Sequence, residues 1–164
     1  AGETASLIAM IRTGQSQLRE PLYSKKAQDR TTDWGKTYVE IDLTNQHVYM
    51  YQDGNLAWDA PCVTGNVSKN YTTPEGIYSL TYKQTDRVLR GEKKADGTYE
   101  YESHVDYWMP FNGGIGLHDA SWRSKFGGTI YQYGGSHGCI NLPSGKAQTL
   151  YDMVYTGIPV ICYN

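Results

Sequence analysis

Toward the end of the chain a hydroxyl, an imidazole and a thiol stand among glycines, in the run Gly134-Gly135-Ser136-His137-Gly138-Cys139-Ile140-Asn141. These residue types suit nucleophilic catalysis. A free thiol, with a pKa of about 8.5, is only a few per cent ionised at neutral pH, so an attacking cysteine needs a base within hydrogen-bond reach. Two histidines qualify. His137 lies two positions before Cys139 and reaches the same side of an extended segment. His118 lies further upstream and must be brought in by folding. The chemistry of the residues alone does not rank them. The glycines let the main chain turn sharply, so that N–H groups, those of Gly138 and Cys139 first, can face a developing oxyanion.

Other readings compete. A cysteine is often a buried small apolar side chain. That suits Cys62 and Cys162, which lie in apolar strand patterns and are expected to be reduced and inert, but not Cys139 in its polar, flexible run. The count of Cys 3 is odd and forms no disulfide framework. His118, His137 and Cys139 could form a zinc set with an open position, although no paired-cysteine motif supports it. Tyr49, Tyr51, Tyr78 and Tyr82 could make a binding surface, but they fit better as the cover of a sheet face. His47 and His104 read as surface residues.

The elements that must position these groups read as mainly β. Val39, Ile41 and Leu43 alternate with polar neighbours, Thr44-Asn45 turns the chain, Val48 and Met50 continue the alternation, and Asp53-Gly54 leads into a third strand over 56–63. These make an antiparallel meander. Residues 64–74 read as loop, and Gly76 opens a strand through Tyr82. Residues 83–104 are the most polar stretch, with a hairpin signal at Asp96-Gly97. They read as a solvated loop or, functionally, as a flap over a site. Strands are expected at 105–111 and 115–118 around Asn112-Gly113-Gly114, followed by a glycine-rich loop without periodicity. Ser144 can N-cap a helix with Ala147, Leu150, Tyr151 and Val154 on its apolar face and Gly157 at its end, and 158–163 closes as a strand. Residues 1–33 read differently: Leu7, Ile8 and Ile11 suggest a helix capped by Thr4 and stopped by Gly14, and a polar run follows. They are expected to be the tail of an upstream module or a linker, with a single domain over 34–164.

Composition narrows the classes. The chain has 164 residues with Lys+Arg 15 against Asp+Glu 17, a net charge of -2, which argues against a nucleic-acid partner. Hydrophobic residues at 39% with only 20% charged residues exclude a disordered chain. Tyr 15 and Gly 18 against Phe 2 favour strands and tight turns. No apolar run approaches the roughly 20 residues of a membrane span. The chain starts at Ala1 without a Met, which leaves room for upstream segments, a membrane anchor among them.

Taken together, Gly116-Leu117-His118-Asp119, the gap to Ser136-His137-Gly138-Cys139, and Asn141 resemble the active-site signature of the L,D-transpeptidases, the YkuD-type catalytic domain. Thr37 through Asp42 followed by a hairpin is similar to the opening strands of that family. Val63-Thr64-Gly65 and Thr73-Pro74-Glu75-Gly76 are similar to its TG and TPxG elements, and Tyr107-Trp108-Met109-Pro110-Phe111 resembles the strand feeding the site in Gram-positive members. The resemblance covers 34–164. It implies a mixed β-sandwich with a short helix after the catalytic loop, and an extracellular, cell-wall enzyme acting without cofactor or metal. It implies peptidoglycan 3→3 cross-linking between donor and acceptor stem peptides, with loss of D-Ala from the donor, and a site open to carbapenems. By position Cys139 is the nucleophile, His118 the base, and Asp119 orients that base through its carbonyl. Ser136 and His137 line the site, Gly138 and Cys139 form the oxyanion hole, Asn141 holds the loop, Tyr107 and Trp108 lie toward the substrate, and 83–104 is the flap. A cysteine peptidase that hydrolyses stem peptides would use the same nucleophile and base. A wall-binding module without catalysis would need neither, and the intact Cys139 and both histidines argue against it.

Overall fold

The computed structural model describes residues 2–14 and 34–164. The chain divides into two compact units, Ala1–Asp33 and Trp34–Asn164. In the first, helix α1 spans Gly2–Thr13. It begins before Thr4, so Thr4 sits inside the helix instead of capping it. Gly14, at φ 64, ends it as expected. The polar run read as a linker over 15–33 lies outside the described residues.

The second unit contains strands β1 (Tyr38–Asp42), β2 (His47–Gln52), β3 (Asn55–Pro61), β4 (Gly76–Ser79), β5 (Gln84–Arg90), β6 (Glu102–Asn112) and β7 (Ile115–Asp119), helix α2 (Ile130–Gly134), strand β8 (Ile140–Leu142), helix α3 (Ser144–Met153) and strand β9 (Pro159–Tyr163). One mixed sheet has the order β3-β2-β1-β9-β4 and the other β5-β6-β7-β8.

The meander β1–β2–β3 follows from alternation and turn chemistry. Val39 pairs with Met50 and Ile41 with Val48, so one face of β1–β2 is wholly apolar and buried. Asp53 and Gly54 both take positive φ, the geometry of the tight hairpin turn whose twist matches the strands. Strand β9 then inserts between β1 and β4, parallel to β1 and antiparallel to β4. Ile41 and Val160 from the first sheet, Met109, Leu117 and Ile140 from the second, and Leu150 of α3 belong to one buried cluster. The two sheets and α3 therefore share a core, as expected for a mixed β fold with short helices.

Three expectations need correction. The polar segment 83–104 is largely strand, not loop. Its first part, β5, pairs with β6 from Gln84↔Trp108 to Arg90↔Glu102, and the ladder resumes at Lys93↔Tyr99. Its tip is the anticipated Asp96-Gly97 turn, where Gly97 has φ 87 and Asp96 Oδ1 accepts from Thr98 N at 2.9 Å. Periodicity missed these strands because most of β5 is exposed on both faces and has no apolar alternation to read. Second, the glycine-rich loop contains the short helix α2. Third, α3 has Pro143 at its N-cap with no side-chain cap bond, so Ser144 is its first residue, and it ends at Met153, ahead of Gly157. Pro143 fixes its own φ just ahead of the helix and offers no side-chain acceptor.

Candidate active site

The parallel pairing of β7 with β8 builds the site. It sets His118 opposite Asn141, two residues past Cys139. A cavity of about 200 Å³ opens there. His118 and Asn141 form its floor, and Ser136, His137 and Cys139 line it from the loop before β8. Leu89, Tyr101 and Ser103 reach it from the β5–β6 hairpin, and Trp122 and Arg123 from the segment after β7.

His118 is 3% exposed. Its Nδ1 lies 2.7 Å from the carbonyl oxygen of Asp119. A carbonyl can only accept, so Nδ1 carries the proton and Nε2 keeps its lone pair. The rings of Trp108 and Trp122 each pack 5.9 Å from the imidazole. Burial pushes the His118 pKa below its ordinary value of 6.5, and the Arg123 cation adds to that. The Asp119 carbonyl and carboxylate oppose it. His118 is therefore a neutral, oriented base at neutral pH.

Cys139 is partly accessible. Its thiol donates to the carbonyl of Gly114 at 3.6 Å. Crowding by the surrounding protein raises its pKa to about 11, opposed by a hydrogen bond from the Gly116 backbone N–H. The resting thiol is thus protonated, and among the described residues neither imidazole hydrogen-bonds the sulfur.

The loop around Cys139 is fixed from several sides. Ser136 Oγ donates to the Cys139 carbonyl at 2.6 Å and accepts from Gly138 N at 3.0 Å. The Gly138 N–H, expected to face an oxyanion, is thus engaged by Ser136 in this state. Gly138 has φ 115, a conformation that disfavours any side chain. Its carbonyl accepts from Thr73 Oγ1 at 2.7 Å, and the same hydroxyl accepts from Gly65 N at 3.1 Å. Ser136 N donates to Thr64 O at 2.9 Å, and a Cβ on Gly135 would lie 2.6 Å from the Asn66 backbone. Thr64 is held in turn by the buried Gln46, whose amide bonds both its N–H and its hydroxyl. Asn141 exchanges both backbone hydrogen bonds with Val63, at 2.9 and 3.0 Å, and so ties β8 to that segment.

His137 is exposed and packed at a tilt against two tyrosine rings. Its ring lies 4.4 Å from that of Tyr71 and 4.7 Å from that of Tyr101, and Nε2 is 3.4 Å from Glu100 Oε1. It joins the Cys139 loop to the hairpin instead of standing beside the buried strands.

Tyr107 and Trp108 are not among the residues lining the cavity. Tyr107 packs its ring 5.3 Å from Tyr151 of α3, and Trp108 is buried behind His118 with Nε1 bonded to Tyr82 OH at 3.2 Å. They pack against α3 and His118 instead of lining the cavity, because alternation along β6 turns one side chain to α3 and the next to His118. Asp119 is buried, and its Oδ1 accepts from Tyr107 N at 2.9 Å. Among the described residues no group of three His, Cys, Asp or Glu side chains is placed to hold a metal ion. Cys62 and Cys162 are free and buried in the core.

The sequence matches the profile of the YkuD L,D-transpeptidase catalytic domain over residues 36–162. The chain belongs to the L,D-transpeptidase family. Solved structures agree. A mutant of Enterococcus faecium L,D-transpeptidase is similar over 99% of this chain and 63% of its own, at 36% identity and a TM-score of 0.78. The chain thus spans 63% of the length of that L,D-transpeptidase. The isolated catalytic domain of the E. faecium L,D-transpeptidase, solved by NMR, is similar over 77% of this chain and 96% of its own, at 42% identity and a TM-score of 0.67. L,D-transpeptidase 3 from Mycobacterium tuberculosis, at 21% identity over 79% of this chain and 61% of its own, shares the fold with a TM-score of 0.68. No curated protein gives a match.

Sequence reading missed Tyr71, Thr73, Tyr101, Trp122 and Arg123 as parts of this L,D-transpeptidase site. Thr73 carried a signal in its TPxG-like element. The others lie in segments without periodicity, where one sequence offers nothing to single them out.

Proposed function

We propose that the protein is a peptidoglycan L,D-transpeptidase that forms 3→3 cross-links through a thioester on Cys139, acting outside the cell membrane at the cell wall. The observation that carries this reading is the single-tautomer His118, with its free Nε2 in the same cavity as the Cys139 thiol. A thiol raised to about 11 does not ionise ahead of attack on a base lowered below 6.5, so proton transfer accompanies carbon–sulfur bond formation. His118 Nε2 takes the thiol proton as sulfur adds to the carbonyl of the third stem residue. The main-chain N–H of Cys139, joined by that of Gly138 once Ser136 releases it, receives the oxyanion. The carbon–nitrogen bond breaks, and His118 returns the proton to the departing amine of D-Ala. The side-chain amine of a second stem then attacks the thioester and gives its proton to His118, and the sulfur leaves and is reprotonated. The E. faecium catalytic domain acylated by ertapenem, 41% identical to this chain, supports an acyl-enzyme.

The partition of that thioester decides between transfer and hydrolysis. Water is present at about 55 M, whereas an oriented bound amine can act at about 10⁵ M or more. Mass spectrometry of the protein with a tetrapeptide stem ending in D-Ala, then with a second stem, tests it. The expected result is an adduct on Cys139, loss of D-Ala and a cross-linked dimer. Free tripeptide without dimer at saturating acceptor would identify a peptidase. No adduct and no turnover would leave a binding module.

A further inference from the structure

Two polar groups in the cavity take no part in these steps. Arg123 lines it alongside His118 and Cys139, and its Nε is buried without a hydrogen-bond partner. No carboxylate among the described residues pairs with its guanidinium. The nearby Asp119 commits Oδ1 to Tyr107 N, and Glu100 faces His137 on the hairpin side. Burial lowers the Arg123 pKa from its ordinary value, the mark of a cation held where water solvates it poorly. The second group is Asn141 Oδ1, on a side chain only 2% exposed and equally without a partner. An orphaned guanidinium Nε and an orphaned acceptor on residues lining one cavity are costly unless a ligand satisfies both.

We propose that Arg123 is a specificity residue that binds the free C-terminal carboxylate of the donor peptide, while Asn141 Oδ1 accepts a backbone N–H of the same peptide. The inference rests on the acyl-transfer reading above and names the feature of the donor that the site selects. The guanidinium fork matches a carboxylate in geometry and charge. The leaving residue lies immediately after the attacked carbonyl, so its carboxylate falls within one residue of Cys139, a span that suits a cavity of about 200 Å³. Binding also acts on the base. The Arg123 charge holds down the basicity of His118 in the free protein, and a carboxylate on Arg123 cancels it. His118 thus becomes a stronger base when a donor with a free carboxylate is seated.

The test compares Cys139 acylation by a tetrapeptide stem with a free terminal carboxylate and by the same stem as its C-terminal primary amide. Wild-type protein should prefer the acid about 10- to 100-fold in kcat/KM, the range of a charge-assisted hydrogen-bonded pair. In Arg123→Gln that ratio should fall close to one, and in Arg123→Lys, which keeps the charge but not the fork, it should be intermediate. A wild-type protein acylated equally fast by acid and amide overturns the proposal. So does an unchanged ratio in Arg123→Gln, with thermal melting confirming that the variant is folded. If Arg123→Gln does not fold, the wild-type ratio and the Arg123→Lys variant still decide. Failure of the acyl-transfer reading looks different: neither stem acylates Cys139 in any form of the protein, and both proposals fall.

Discussion

The two sides of the cavity hold a histidine each, in opposite surroundings. His118 sits on β7, buried, hydrogen-bonded at one nitrogen and packed by two indoles. His137 sits on a loop, exposed, packed at a tilt between tyrosines from two further segments. The first environment fixes a tautomer and a direction, which proton transfer requires. The second offers a flat, adaptable surface that tolerates a change of partner. Proximity to a thiol in sequence is therefore a poor guide to which imidazole serves it, and the strand-held side is better suited to do the chemistry.

The comparison breaks most readily at His118. In His118→Ala the acylation rate at neutral pH should fall by about 10²- to 10⁴-fold, the usual contribution of a general base. What remains should rise with pH toward the Cys139 value of about 11. In the wild type, the acid limb of kcat/KM should lie below pH 6.5, because His118 stays neutral until pH falls through its lowered folded value. Stability follows the same sign. Above pH 6.5 the imidazole is neutral in both states, and below it the unfolded chain takes up the proton first, so acid destabilises the fold. An acid limb above 6.5 would contradict the buried, neutral base.

A smaller effect is expected where the two sides are joined. Thr73→Val keeps the shape but removes the hydroxyl that bridges Gly65 N and Gly138 O. Leaving those groups unpaired should cost about 1–3 kcal/mol, visible as a melting temperature lower by roughly 2–4 °C per kcal/mol. A melting temperature within a degree of wild type would mean that the loop does not depend on this bridge. The smallest effect belongs to the exposed side. His137→Ala should lower kcat/KM by about tenfold or less, since aromatic ring contacts are worth about 0.5–1.5 kcal/mol, with KM bearing most of it. A loss matching that of His118→Ala would erase the distinction between the two histidines.

Much of this was legible in the residues. The β1–β2–β3 meander followed from alternation at Val39, Ile41, Val48 and Met50 and from the Asp53-Gly54 turn, all local signals. Cys139 stood out because polar, glycine-rich surroundings are wrong for a core thiol. The β5–β6 hairpin was half hidden: its turn was readable, but strands exposed on both faces carry no period. Their place on the strand feeding the site points Tyr107 and Trp108 toward the substrate. Their true directions depend on what β6 faces, on α3 to one side and His118 to the other. Gln46, wholly buried in a turn, bonds Thr64 across the chain, and no sequence pattern marks such a bond.

The sequence by itself marked Cys139 as the candidate nucleophile and determined the glycines that let its loop turn, the strand faces that make the core, and the family. Each is written in residue type and short spacing, where sterics, alternation and thiol chemistry act within a few residues. The tertiary structure alone decided that His118 and not His137 has the buried, single-tautomer geometry of a base. It also placed Thr73 as a clamp on the Cys139 loop and Arg123, with an unpartnered Nε, on the wall of the cavity that Cys139 lines. These depend on the parallel register of β7 with β8 and on the approach of segments far apart in the chain. Such pairings are set by burial of the whole core, and no local stretch of residues encodes them.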